Sequence, residues 1–271
     1  MRWLNMNPEE KAEILDWLDL ERRTVVYPGV KRIVEAGVIK DISADGKGCE
    51  VVYSSSNAED VDRIIAHQIE TARSLRYALE WKVYGHDQPS YLAERLTSAG
   101  FEAGDKEAFL VFRADLESLD QFGTRDSDIR RVTTKEALND YKIISEEVLG
   151  ESCARQVEQY WHMLENYPEN LSVYVTYIDG VPAACGRIYF HEASRFAALY
   201  GGQTRERFRK RGLFTQVVAA RIQEALDRGI THLCVDALPT SEPILRGCGF
   251  EFLTYTQPFF LIELSTLARP A

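Results

Sequence analysis

Two stretches of the chain read alike, in the same order. An amphipathic helix, 58–76 or 212–228, is followed by an apolar strand, 79–83 or 233–235. A proline comes next, Pro89 or Pro239, then Leu96 or Leu245. Gly100-Phe101-Glu102 or Gly249-Phe250-Glu251 closes that part, and an apolar strand follows, 108–112 or 259–262. A strand–helix–strand unit with a glycine at the helix end must be built twice. At about 150 residues per domain, 271 residues also give two. The expectation is an α+β (mixed α/β) chain of two like domains. Each has a central mixed, mostly antiparallel, twisted sheet flanked by helices.

The elements between the repeats fit this plan. Asn7-Pro8 supplies an N-cap and a first-turn proline for a helix ending near Arg23. Strands are expected near 38–42 and 49–54, around the turn 44–48. The helix 58–76, capped by Asn57, keeps a 3.6 period in Val61, Ile64, Ile65, Gln68 and Ala72. Strand 77–84, helix 89–98 and strands 101–102 and 108–113 complete the half. The stretch 115–127 is polar and without period, so the first domain is placed at 1–118, a linker at 119–127 and the second domain at 128–271. In the second half, strand 128–132 precedes helices 135–149 and 153–166. Strands 171–178 and 181–191 are joined by Asp179-Gly180, a two-residue hairpin signal. Strand 196–201, helix 212–228, strand 231–237, helix 241–246 and strands 250–255 and 258–264 follow.

Composition excludes several classes. Hydrophobic residues are 45%, enough for real cores, so wholesale disorder is excluded. No apolar run approaches the ~18 residues of a membrane span. The start, Met1-Arg2-Trp3-Leu4-Asn5, has no apolar signal region, so a cytoplasmic protein is expected. Five cysteines at wide spacing, with no CxxC, make neither a disulfide framework nor a zinc site. No two of His67, His86, His162, His191 and His232 stand at metal-ligand spacing, so no metal is expected. Net charge is −10, −7 of it in 1–125 and −3 in 126–271, which argues against nucleic acid and anionic membranes as partners.

Against that acidity, Arg205, Arg207, Arg209, Lys210 and Arg211 crowd into seven positions. They lie between a strand ending at Tyr200-Gly201-Gly202-Gln203-Thr204 and a helix opening at Gly212-Leu213-Phe214-Thr215. The first amides of a helix have no internal partner and point along the positive end of its dipole. Gly212 lets backbone approach an anion, and Arg209 and Arg211 add charge-assisted donors. A pyrophosphate fits such a place better than a polyanion does.

Arg209-Lys210-Arg211-Gly212-Leu213-Phe214 resembles the Q/R-x-x-G-x-G/A motif of the GNAT (Gcn5-related N-acetyltransferase) superfamily. The order of elements over 128–264 and the Gly249-Phe250-Glu251 ending are similar to that family as well. The resemblance implies two GNAT-like domains and acetyl-CoA as acyl donor. It implies that backbone at Gly202, Gln203 and Thr204 pairs with the pantetheine arm. Arg209, Lys210, Arg211, Gly212, Leu213, Phe214 and Thr215 would hold the pyrophosphate, with Ser241 also at the donor and Arg205 or Arg207 at the ribose phosphate. The corresponding turn of the first half, 55–60, has no glycine or basic residue and carries Glu59 and Asp60, which repel phosphate. That half reads as a degenerate copy without the CoA motif.

The chain departs from the pattern in three places. The last motif position is Phe214. Leu245 stands where many members carry a tyrosine acid, and Ala198 where some carry a glutamate base. Tyr200 is the substitute acid and Asp236 the residue to orient the amine. The expected activity is N-acetyl transfer to the amine of a small molecule or peptide, by a monomer or homodimer. The competing reading is a non-catalytic CoA-binding sensor or protein-interaction module. An aminoacyl-tRNA donor conflicts with the acidic chain.

Overall fold

The computed structural model of the chain describes residues 6–35, 37–55, 60–119, 122 and 128–261. Contacts divide these into two compact units, 6–109 with 253–261, and 110–252. The linker expected from the sequence spans 119–127, of which only 119 and 122 are described. By contacts, 110–118 groups with the second unit and 253–261 with the first.

In the first unit, α1 (Pro8–Thr24) starts on a capping box. The Asn7 side chain accepts from the Glu9 and Glu10 amides, and the Glu10 carboxylate accepts from the Asn7 amide, each at 2.9 Å. β1 (Val30–Glu35), β2 (Val38–Ser43) and β3 (Gly48–Ser54) form an antiparallel meander. α2 (Val61–Leu75) then crosses to β4 (Ala78–Tyr84), parallel to β3. Its predicted face is buried, with Ile69 added. The predicted cap Asn57 and residues 56–59 lie outside the described residues. Asp60 stands before the first turn of α2 and pairs with Arg63 at 2.7 Å, so a carboxylate does occupy that helix start. α3 (Leu92–Ser98), β5 (Phe101–Ala103) and the first residues of β6 (Glu107–Arg113), up to Phe109, follow, and Gly100 takes φ +96°. The chain's last strand completes this sheet, antiparallel to β4 and β5, with Phe259 and Leu261 in a core with Trp81, Leu79, Ile65 and Leu96.

The second unit runs α4 (Leu116–Leu119), β7 (Asp128–Arg131), α5 (Lys135–Leu149), α6 (Ala154–Asn166), β8 (Leu171–Ile178), β9 (Val181–Tyr189) and β10 (Phe196–Thr204). A 3₁₀ turn (Glu206–Phe208), α7 (Leu213–Asp227), β11 (His232–Ala237) and α8 (Glu242–Gly247) follow. β7, β8, β9 and β10 are antiparallel neighbours, and β11 joins β10 in parallel. The Thr134 side chain caps α5 and Gly150 closes it at φ +75°. Asp179 and Gly180 both take positive φ, +52° and +75°, the primed turn their sequence predicts. α5 and α6 bury Tyr141, Ile144, Val157 and Tyr160 with Val173, Val175 and Cys185. α7 buries Leu213 and Val217 with Ala183, Ala184 and Phe208.

β12 (Glu251–Leu261) is one strand where two were expected. Pro258 continues it, in register with Lys82 and accepting from the Gly104 amide at 2.8 Å. Residues 262–264 lie outside the described residues. Among the described residues, no helix is long and apolar enough to cross a membrane.

Candidate active site

β10 and β11 pair only as far as Ala198↔Cys234. β10 runs on to Thr204 and β11 to Ala237, so past that pair each offers backbone to something other than the other strand. On its other edge β10 breaks register with β9 between Tyr200 and Gln203. Gly201 makes the break possible at φ +56°. A Cβ there would lie 2.8 Å from the Tyr141 phenol oxygen and 3.0 Å from Arg187 Nη1. The predicted donor-binding residues Gly202, Gln203 and Thr204 occupy this bulge and its exit. Gln203 is fixed from below, where its Oε1 accepts from Ser145 Oγ at 2.7 Å. The hydroxyl of Thr204 is buried without a hydrogen-bond partner.

The basic loop follows directly. Phe208 pins it into the core beside Leu213 and Val217, and Arg205, Arg207 and Arg211 stand over its ring at 6.0, 4.7 and 5.6 Å. Lys210 takes φ +62° and Gly212 φ +78°, so the backbone curls at the start of α7. Gly212 is the N-cap and offers no side chain to the first amides of α7, and the first turn has no acidic residue. Four amides there have no helical partner, and the dipole adds positive potential. Arg209, Lys210 and Arg211 are exposed around this start, and Arg209 Nε reaches the Thr204 carbonyl at 3.3 Å. Arg205 is engaged elsewhere, bonding the Glu147 carboxylate and, at 2.8 Å, the Pro182 carbonyl. It is therefore not a loose arm for a ribose phosphate. Phe214 meets the bulge itself, since a Cβ on Gly202 would lie 2.7 Å from its Cε2. The larger third motif residue is matched by a glycine facing it.

Tyr200 and Asp236 stand two residues beyond the last paired positions, one on each diverging strand. The parallel register puts them on the same sheet face. Tyr200 is 40% exposed and meets the Tyr189 ring edge-on at 5.5 Å. Asp236 is half-buried. Ser241 starts α8, its Oγ turned to the Leu238 carbonyl at 3.2 Å. Leu245 is 2% exposed, a core residue of α8.

Beneath the bulge lies a group that the sequence reading did not single out. Arg187 of β9 is 9% exposed, and its Nη1 donates to the Tyr141 phenol of α5. Its guanidinium carbon stands 4.1 Å over the Tyr160 ring of α6. Burial pushes the Tyr141 phenol up to about 12, against the pull of Arg187, so it stays protonated at neutral pH. Burial likewise pushes the Cys185 thiol up to about 12. The sequence signals were thin: a tyrosine on the apolar face of a helix, and an arginine in an apolar strand.

Residues 135–250 match the family model described as the Acetyltransferase (GNAT) family. No curated protein matches the sequence. Among solved structures, a GCN5-related N-acetyltransferase from Kribbella flavida is similar at TM-score 0.65 and 14% identity, covering 95% of this chain and 96% of that one. A tandem GNAT protein from the clavulanic acid biosynthesis pathway is similar at 0.60 and 15%, again covering 95% and 96%. A conserved protein of unknown function from Staphylococcus epidermidis ATCC 12228 reaches 0.65 at 16% identity, covering 87% and 95%. These likenesses show the fold across nearly the whole chain.

Proposed function

We propose, from the match of residues 135–250 to the GNAT acetyltransferase family model, that the protein is an acetyl-CoA-dependent N-acetyltransferase acting on the amine of a small molecule or peptide. The observation that carries this reading is the uncapped start of α7 placed directly after the bulged strand β10. The residues present fit such a donor. Amides from Gly212 to Thr215, with Arg209, Lys210 and Arg211, suit a pyrophosphate. Gly202 to Thr204 suit an extended amide-bearing arm, and the unpaired Thr204 hydroxyl offers it one more hydrogen bond.

In the reaction the amine nitrogen bonds to the thioester carbonyl carbon and the carbon–sulfur bond breaks. The amine loses one proton and the departing thiolate gains one. Tyr200 is the proposed donor of that proton. Asp236, across the split on the same face, is proposed to orient the amine and accept its proton. The first unit, with Asp60 at the corresponding helix start, is proposed not to bind CoA.

A non-catalytic CoA-binding module is favoured by one observation, the buried Leu245. Calorimetric titration of acetyl-CoA into the wild type and an Arg209→Ala/Gly212→Asp variant tests the donor site. Binding that disappears in the variant supports it, and no wild-type binding defeats it. Thiol release on a panel of amines then separates enzyme from sensor. A Tyr200→Phe variant that turns over at the wild-type rate removes Tyr200 as the acid.

A further inference from the structure

Four cations are buried among the described residues: Arg22, Lys40, Arg187 and Arg221. Arg22 bonds the carboxylates of Asp87 and Asp19. Lys40 bonds Glu35 and Gln68. Arg221 gives its N–H groups to the carbonyls of Val217, Arg187 and Tyr200. Arg187 stands apart. Like Arg221 it has no carboxylate in an ion pair among the described residues, but unlike Arg221 it keeps a buried N–H, at Nε, with no hydrogen-bond partner. Its surroundings are phenols and rings: Tyr141, Tyr160 and Tyr189. A guanidinium stays charged at any working pH. A buried charge without a counter-charge and with an unmet N–H is retained at a cost in stability, and a bound anion would offset that cost.

Its place says which ligand. Arg187 is the direct partner of Tyr200 in the β9–β10 register, so it lies on the sheet face where Tyr200 and Asp236 flank the split. We propose that Arg187 receives a carboxylate carried by the amine acceptor, making the acceptor class an amino carboxylate. A planar carboxylate matches the guanidinium fork. This deepens the acyltransferase reading and rests on it for the word acceptor. The binding itself is testable without the donor.

The test is a titration of the free protein, followed by tyrosine fluorescence and ligand-detected NMR. The probes are the common amino acids, the amide of each, and inorganic phosphate. The expected result is at least one acid that binds, with its amide about tenfold weaker or worse. Arg187→Gln should abolish that difference, and Arg187→Lys, which keeps the charge and loses the fork, should reduce it. Both variants should bind acetyl-CoA as the wild type does, which also reports that they fold. If Arg187→Gln does not fold, Arg187→Lys decides. Acids and amides binding alike, no acid binding, phosphate alone binding, or a preference that survives these variants overturns the proposal. Failure of the wild type to bind acetyl-CoA overturns the donor reading instead, and leaves the acid–amide comparison standing.

Discussion

Gly186 and Arg221 occupy one space. A Cβ on Gly186 would lie 2.8 Å from the guanidinium carbon of Arg221 and 2.9 Å from Val217 Cγ1. Arg221 comes from α7 and is 2% exposed. Its Nη1 donates to the carbonyls of Arg187 at 2.9 Å and Tyr200 at 3.3 Å, on the two strands whose register shifts at the bulge. Burial pulls its pKa down to about 10, which still leaves a cation at neutral pH. The helix that begins at the proposed anion site therefore also braces the strand on which the donor is proposed to lie. It does so because β9 has no side chain at that point.

Gly186→Ala should destabilise the protein by about 1–3 kcal/mol, the usual cost of overpacking a filled core. Denaturant unfolding of the variant measures this. Arg221→Leu loses the carbonyl contacts on its own account. In the double variant, though, the Gly186→Ala penalty should shrink, because one of its two clash partners is gone and only Val217 remains. Strictly additive penalties would show that the close approach is not what the glycine is for.

Much of the fold is legible in the sequence, for identifiable reasons. α5 matches its predicted span, 135–149, because a threonine cap and a closing glycine bound a periodic run. The β8–β9 hairpin is legible because Asp179-Gly180 accepts positive φ at both positions. β1 is not, because Val30–Glu35 mixes charged and apolar residues without a period of two and buries none of them fully, so little burial pattern marks it. Nor does anything in 253–261 record which sheet that strand joins. At the site, the basic loop is legible because backbone and charge carry it. Arg187 and Arg221 are not, since the room for each comes from glycines elsewhere in the chain, Gly201 and Gly186.

The contact between Gly202 and Phe214 predicts a binding effect with little cost in stability. Gly202 is exposed and Phe214 is half-buried, so a side chain on Gly202 pushes the ring rather than the core. Gly202→Val should weaken acetyl-CoA by about tenfold, roughly 1.4 kcal/mol, because the moved ring carries the first turn of α7 with it. Adding Phe214→Ala should restore most of the loss. Calorimetry on the two variants decides, and a Gly202→Val protein with wild-type affinity would detach the bulge from donor binding.

The thiols make a separate prediction about accessibility. Cys49, Cys153, Cys185 and Cys234 are buried, and Cys248 is half-buried. Burial pushes Cys49 up to about 11 and Cys185 up to about 12, so neither offers thiolate at pH 8. A disulfide reagent should therefore modify Cys248 first in the native protein and reach all five only after unfolding. Cys248→Ser should remove the fast phase. Rapid modification of a further thiol in that variant would show that one of the buried sites opens readily.

The last prediction concerns acid stability in the first unit. Asp19, His86 and Asp87 converge closely enough to hold a metal ion. Arg22 fills that role instead, bonding Asp87 at 2.8 and 3.0 Å and Asp19 at 2.8 Å. Burial works to raise the Asp19 carboxyl, but hydrogen bonds from His86 and Arg22 and their charges hold it below its ordinary value. A carboxyl depressed in the folded state contributes stability above its unfolded pKa, about 3.9, and loses it as pH falls through the lower folded value. Asp19→Asn should accordingly lower the urea midpoint at pH 7. The gap to the wild type should begin to narrow below about pH 4, where the unfolded chain takes up its proton, and close as pH falls through the lower folded value. A gap that stays constant from pH 7 to pH 3 would mean that the charge of Asp19 contributes nothing and only its shape does.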